Sequence, residues 1–330
     1  MQKEIKGTYR WIGLCVGILF LVYFLNTSLK QISSFPQIYW NLITLINFLG
    51  AIILSATVTL IGGYAWFLLL RASGEPAKTI DALVIFSLAQ FAKYIPGNIA
   101  HHAGKIALCK IRGFEMSRVL FSMTLEIGWL IVVASLLAMF WLIFMSHNLF
   151  RTVTALPSVF QLVIAISIAI AFPIFAKWVL IHWRPGPLNK FFGNSIVNTP
   201  TTSTLICCLF LYALSFILMG IAADILARGL FGARCHHIGL LTGTFAIAWV
   251  AGFLTPGAPA GLGVREVVLL KILGHFYGTG VGAGITISLR MITLIADCLI
   301  FSVALIIKQK LSILHNVVLE NKSMIKYKNE

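Results

Sequence analysis

Seven charged residues fall in or beside long apolar runs, where a chain of this composition has few charges to spare. Lys93 stands three residues before Pro96, Lys105 eight after Gly97, and Arg265 eight after Gly257. Arg290 lies about ten residues into an apolar run, and Asp297 follows seven residues later. Seven residues make two helical turns, so Arg290 and Asp297 share a face. Glu126 sits eight residues into another such run, and Glu266 adjoins Arg265. Ammonium and guanidinium groups hold a phosphate, and carboxylates fix those cations in place or accept a headgroup amine. The four cations are therefore candidate ligands for an anionic lipid headgroup, with Glu126, Glu266 and Asp297 as supporting carboxylates. Blander alternatives stand beside this. Lys93 snorkels to the interface, Lys105 is a cytoplasmic charge, and Glu126, Arg290 and Asp297 form a structural ion-pair network. Asp224 and Arg228, four apart, read as an interfacial pair.

Other chemistries find no footing. His101-His102 and His236-His237 are adjacent pairs whose side chains diverge by about 100° on a helix, so they read as interfacial groups and no metal site is expected. The chain has no GxxxxGK[ST] loop, no GxSxG elbow, no HExxH motif and no nucleophile beside a base. Neither enzymatic activity nor a cofactor is expected. The six cysteines, Cys15, Cys109, Cys207, Cys208, Cys235 and Cys298, lack CxxC spacing and read as small core hydrophobes.

The elements that must position these groups follow from composition. Of 330 residues, 59% are hydrophobic and only 11% charged, with mean hydropathy +0.95. A soluble domain carries about 25% charged residues, so this chain cannot cover a surface in water. Disorder, collagen and coiled coil are excluded too. The net charge of +15 is not gathered on a soluble module, so it indicates loops facing anionic lipid, not nucleic acid. Six runs, 11–29, 42–70, 119–146, 158–181, 203–226 and 281–307, are long enough to cross ~30 Å of hydrocarbon. The first follows Lys3, Lys6 and Arg10 without cleavage chemistry and reads as an uncleaved helix.

Two further apolar stretches break. One runs from Ile80 to Phe91 and stops near Pro96-Gly97; the other runs from Ile238 to Leu254 and stops near Pro256-Gly257. Proline removes a donor and glycine loosens the backbone, so a helix ends at each. Positive charges before and after the first stretch (Arg71, Lys78; Lys105, Lys110, Arg112, Arg118) all face the cytoplasm only if it enters and returns. The 177–190 loop and the basic tail, 308–330, impose the same on the second stretch from the opposite side. The expected fold is an all-α polytopic membrane protein, one domain over 1–330. It has about six full spans and two re-entrant hairpins, near 80–110 and 238–278. Residues 11–146 and 158–307 then form an inverted repeat, as in secondary transporters. At an offset of 160, Pro96 meets Pro256, Gly97 meets Gly257, Ala100 meets Ala260 and Lys105 meets Arg265.

The segments Ser87–Asn98 and Gly252–Glu266, with Glu126, Arg290 and Asp297, resemble the lysylphosphatidylglycerol synthase transmembrane-region family, the flippase-like part of the multiple peptide resistance factor. The resemblance covers about 10–310. His101-His102 departs from it, where a glycine and an acidic residue are expected. No synthase domain accompanies it, so the resemblance implies lipid translocation, not lysyl transfer. The expectation is a translocator in the bacterial inner membrane, with both termini cytoplasmic. Its cargo is a phospholipid, glycolipid or polyprenyl-linked headgroup. The alternatives are a non-transporting partner of a glycosyltransferase or lipid-modifying enzyme, and an integral enzyme acting on polyprenyl phosphate.

Overall fold

The computed structural model describes residue 38 and residues 41–94, 100–149, 198–233, 237–255 and 261–328, with side chains up to 141 in helix α4 and up to 310 in helix α8. The expected spans 11–29 and 158–181 lie outside the described residues, as do Pro96, Gly97, Pro256 and Gly257. The described part is helical, without strands. Its helices are α1 (Leu42–Ala72), α2 (Thr79–Phe91), α3 (Ala100–Ile111), α4 (Met116–Leu149), α5 (Thr202–Gly229), α6 (Ile238–Leu254), α7 (Val264–Tyr277) and α8 (Thr279–Lys328); a 3-10 turn, Ala92–Tyr94, extends α2.

Four of these, α1, α4, α5 and α8, are long and apolar enough to cross a membrane. They coincide with four of the six expected runs. Charges and apolar groups are distributed inside out relative to a soluble protein. Leu42, Ile43, Ile53, Phe140 and Phe210 are exposed, whereas Lys105, Glu126, Glu266 and Asp297 are buried. Large exposed apolar surfaces of this kind are rare on soluble monomers, and hydrocarbon is the environment that suits them. Cys109 and Cys208 are buried as expected, but Cys207 and Cys298 are exposed on the apolar exterior.

The other four helices are short. The 13 residues of α2 and 12 of α3 extend about 20 Å and 18 Å, and the 17 of α6 and 14 of α7 about 26 Å and 21 Å. Each pair doubles back. Arg112, just past α3, bridges to Asp81 at the start of α2 at 3.4 Å. In the other pair the His237 ring before α6 lies 6.2 Å from the Tyr277 ring at the end of α7. The two hairpins open toward opposite ends of α4. Arg118 in its first turn hydrogen-bonds the Gly74 carbonyl beside the open end of α2–α3 (2.9 Å). Trp141 packs on Leu240, Ile272 and Phe276 at the open end of α6–α7. Arg118 and Trp141 are 23 residues apart, about 35 Å of helix.

The halves correspond in order and in packing. Helices begin at 42, 79, 100 and 116, and again at 202, 238, 264 and 279, offsets of 160, 159, 164 and 163. Asn41 caps α1 by accepting from Thr44 N (2.8 Å), and Thr201 caps α5 by accepting from Thr204 N (3.3 Å). Exchanging α1–α4 for α5–α8 maps each substantial helix packing onto another: α4 on α6 becomes α8 on α2, and α1 on α2 becomes α5 on α6. The α1–α5 packing maps onto itself. Its helices are antiparallel, with Ala65 near Cys208 and Asn47 near Gly229. Small buried residues on α1 (Ala51, Ala65), α5 (Cys208, Ala222, Ala223), α6 (Ala246) and α8 (Ala296) let the helices approach closely, the means by which helices associate where lipid removes the hydrophobic drive.

The turn of the second hairpin depends on two glycines. Gly261 has φ +70°, and a Cβ there would sit 3.0 Å from the Gly252 Cα, a backbone atom that cannot swing aside. Gly261→Ala combines left-handed strain with overpacking, about 1–2 and 1–3 kcal/mol respectively. The expected result is a loss of roughly 2–5 kcal/mol, measured by chemical unfolding in mixed micelles. A variant within experimental error of the parent would contradict the close packing.

Candidate functional site

A cavity of about 230 Å³ lies where the facing ends of α2 and α3 and of α6 and α7 meet the long helices, and all eight described helices contribute to its wall. Ser55, Thr59 and Gly62 come from α1, and Glu126 from α4. Tyr212 and Ser215 come from α5. The hairpins supply Gln90, Lys93, Tyr94, His101 and His102 from the first, and Trp249, Phe253, Gly261 and Arg265 from the second. Helix α8 supplies Arg290, Thr293 and Asp297. The short helices place these residues: the last turns of α2 and α6 and the first turns of α3 and α7 deliver side chains to the cavity.

Three ion pairs fix the charged groups, each joining a hairpin to a long helix. Lys93 Nζ meets Asp297 Oδ2 at 2.7 Å, and the Tyr94 hydroxyl donates to the same oxygen at 2.5 Å. This pair ties the first hairpin to α8 of the other half. Lys105 Nζ meets Glu126 Oε2 at 2.7 Å; Lys105 is only 2% exposed and lies 4.5 and 4.4 Å from the Trp66 and Phe86 ring centroids. Arg290 Nη1 reaches Glu266 Oε1 at 3.5 Å, while Glu266 Oε2 accepts from the Gly263 amide at 2.7 Å, closing the start of α7. The polarity reverses between halves. In the first the returning helix carries the cation and the long helix the carboxylate; in the second the returning helix carries the carboxylate.

Arg265 is different. Its guanidinium lies 5.7 Å from the Phe245 ring centroid, and its buried Nε has no hydrogen-bond partner among the described residues. Each of the other three cations has a carboxylate, and those carboxylates are already engaged. Counting Lys93, Lys105, Arg265 and Arg290 against Glu126, Glu266 and Asp297 leaves one positive charge in excess, 4 − 3 = 1. Buried polar atoms ordinarily have partners. Here His101 Nδ1, His102 Nδ1 and the Tyr212 hydroxyl, all from wall residues, have none either.

The seven charged residues singled out in the sequence thus gather in one region, with differences in detail. Lys93, Arg265, Arg290, Glu126 and Asp297 line the cavity; Lys105 and Glu266 stand behind it. Lys105, expected to contact the headgroup or face the cytoplasm, is enclosed by Trp66, Phe86 and Glu126. Arg290 pairs with Glu266 and not with Asp297 on its own helix, because Asp297 is taken by Lys93. Asp224 and Arg228 do pair, at 2.9 Å. His101 and His102, expected at the interface, stand in the wall with ring centroids 3.7 Å apart. Tyr94 and Tyr212 were not foreseen. Tyr94 adjoins the break and carried a signal; Tyr212, within an apolar run, carried none.

The pair between Lys93 and Asp297 is partly accessible, with Lys93 23% exposed. Asp297→Asn leaves an ammonium without its counter-charge. Charge-assisted bonds of this kind are worth about 1.5–3 kcal/mol, and stability should fall by that order. Lys93→Met in the same chain should restore most of it, as read from melting in detergent; a double variant as unstable as Asp297→Asn would refute the pairing.

No family model matches this chain, and no curated protein does.

Proposed function

We propose that this protein is a membrane lipid translocator, in which the headgroup of an anionic lipid enters the central cavity while its tails stay in the bilayer. The observation that carries this reading is Arg265, a half-buried guanidinium whose buried Nε has no partner and which pairs with no carboxylate among the described residues, at a cavity to which every described helix contributes. A charge at membrane depth costs at least ~2.5–3.5 kcal/mol, and an anionic ligand offsets that cost where the protein supplies no counter-ion. Arg290, 22% exposed and only loosely held by Glu266, has donors left for the same phosphate.

The corresponding halves and the oppositely opening hairpins support the rest of the architecture. On this reading α2–α3 and α6–α7 are re-entrant hairpins from opposite leaflets, and 11–29 and 158–181 complete six spans in an inverted repeat. Irregular backbone at membrane depth must line a cavity or be buried in protein, and the hairpin ends at this cavity meet that requirement. The same proposal includes kinship with the lysylphosphatidylglycerol synthase transmembrane regions, supported by the sequence resemblance around Lys93 and Arg265. The function is transport and not catalysis, in a bacterial inner membrane with both termini cytoplasmic.

Reconstitution into liposomes tests it. Labelled phospholipids and polyprenyl-phosphate sugars are loaded in one leaflet, and their arrival in the other is followed by quenching. Movement of an anionic lipid above empty vesicles is expected. No movement across the whole panel would overturn translocation.

A further inference from the structure

We propose that the cavity selects a headgroup with one phosphate charge and a neutral, hydroxyl-bearing remainder, a glycerol or a single sugar, over headgroups that carry an ammonium. This rests on the lipid-binding reading above and narrows it to a ligand class.

Charge decides the first half. The three carboxylates at the site, Glu126, Glu266 and Asp297, are each held by a lysine or arginine. An entering ammonium would meet no unclaimed carboxylate and would face an excess positive charge. A phosphodiester cancels that excess on Arg265, whose Nε lacks a partner. A zwitterionic head supplies the phosphate but brings its own cation into the same small space, where like charges repel strongly at low dielectric.

Neutral groups decide the second half. His101 Nδ1, His102 Nδ1 and the Tyr212 hydroxyl are buried without hydrogen-bond partners among the described residues, and their side chains stand in the wall of the same cavity as Arg265. Hydroxyls both donate and accept, so a polyol satisfies such a set whichever imidazole nitrogen carries the proton. Trp249 and Phe253, whose rings stack on each other at 5.2 Å, add apolar wall for the carbon atoms of a glycerol or sugar. The aromatic rings would also suit a quaternary ammonium, but that cation would restore the excess positive charge that the phosphate has just cancelled. The cavity volume, about 230 Å³, is many times the roughly 10–15 Å³ that one water needs on the same measure, which leaves room for a small headgroup.

The test is calorimetric titration of the purified full chain in detergent with short-chain lipids. The probes are dihexanoyl phosphatidylglycerol, phosphatidylmethanol, phosphatidylethanolamine and phosphatidylcholine, with a sugar phosphate on a short prenyl chain. Phosphatidylglycerol and the prenyl sugar phosphate should bind at least tenfold tighter than either ammonium lipid, and their ranking identifies the source. Phosphatidylmethanol, which has the charge without the hydroxyls, should bind several-fold more weakly than phosphatidylglycerol, and Tyr212→Phe should narrow that gap. Ammonium lipids binding as well as phosphatidylglycerol would overturn the charge argument. Phosphatidylmethanol matching phosphatidylglycerol would overturn the polyol argument. If no lipid binds, both this inference and the lipid-site reading fail. Selective binding without movement in liposomes overturns translocation alone.

Discussion

Arg265→Gln should reduce transport of an anionic lipid to between a tenth and a hundredth of the parent rate while leaving the protein as stable as before, or slightly more so. The two halves of this expectation come from one fact. Arg265 has no carboxylate to strand when it is removed, and its Nε has no hydrogen bond to lose. A charge-assisted bond to phosphate is worth about 1.5–3 kcal/mol, and about 1.4 kcal/mol is a factor of ten. The glutamine relieves a buried charge at the same time. A residue that merely supported the fold would behave oppositely, losing stability along with rate. Liposome transport and melting in detergent, measured on one preparation, separate the two. Stability lost with transport intact would show that Arg265 is structural. Arg265→Lys should retain part of the rate, because it keeps the charge but loses the planar fork that grips two phosphate oxygens.

Lys105 gives the contrasting case. It is almost wholly buried against Glu126, Trp66 and Phe86. Lys105→Met strands the Glu126 carboxylate in a place built for an ion pair, and breaking a buried pair on one side costs about 3–5 kcal/mol. The expected result is the largest destabilisation of any single change at this site. Glu126→Gln added to Lys105→Met removes the stranded charge, and most of the loss should return. Chemical unfolding in mixed micelles measures all three variants. A double variant no better than Lys105→Met would mean that the lysine acts through its packing on Trp66 and Phe86 and not through its charge. Together with Arg265, the pair divides the cations by role: Lys105 holds the first hairpin to α4, whereas Arg265 is available to a ligand.

Much of this was legible in the chain. Apolar length fixed α1, α4, α5 and α8, because hydrocarbon demands about twenty consecutive apolar residues whatever the neighbours are. The proline-glycine clusters marked where α2 and α6 must stop, because that is a local backbone property. An offset of 160 also relates Asn41 to Thr201, and the paired helix starts differ by 159 to 164. Ion-pair partners were a different matter. Spacing favoured Arg290 with Asp297, two turns apart on one helix, yet Lys93 and Glu266 arrive from two hairpins and take one each. Lys93 and Asp297 are separated by 204 positions, 297 − 93 = 204. No local pattern encodes a contact of that range.

What the sequence determined by itself was the solvent, the long helices and the places where helices break, since each depends on residues close along the chain. What only the tertiary structure decided was the balance of charge inside. Seven ionisable side chains, rare enough to be noticed individually, were sorted into three pairs and one remainder by which helices meet. Arg265 differs from Arg290 in neither residue type nor apolar surroundings; it differs because no carboxylate was brought to it.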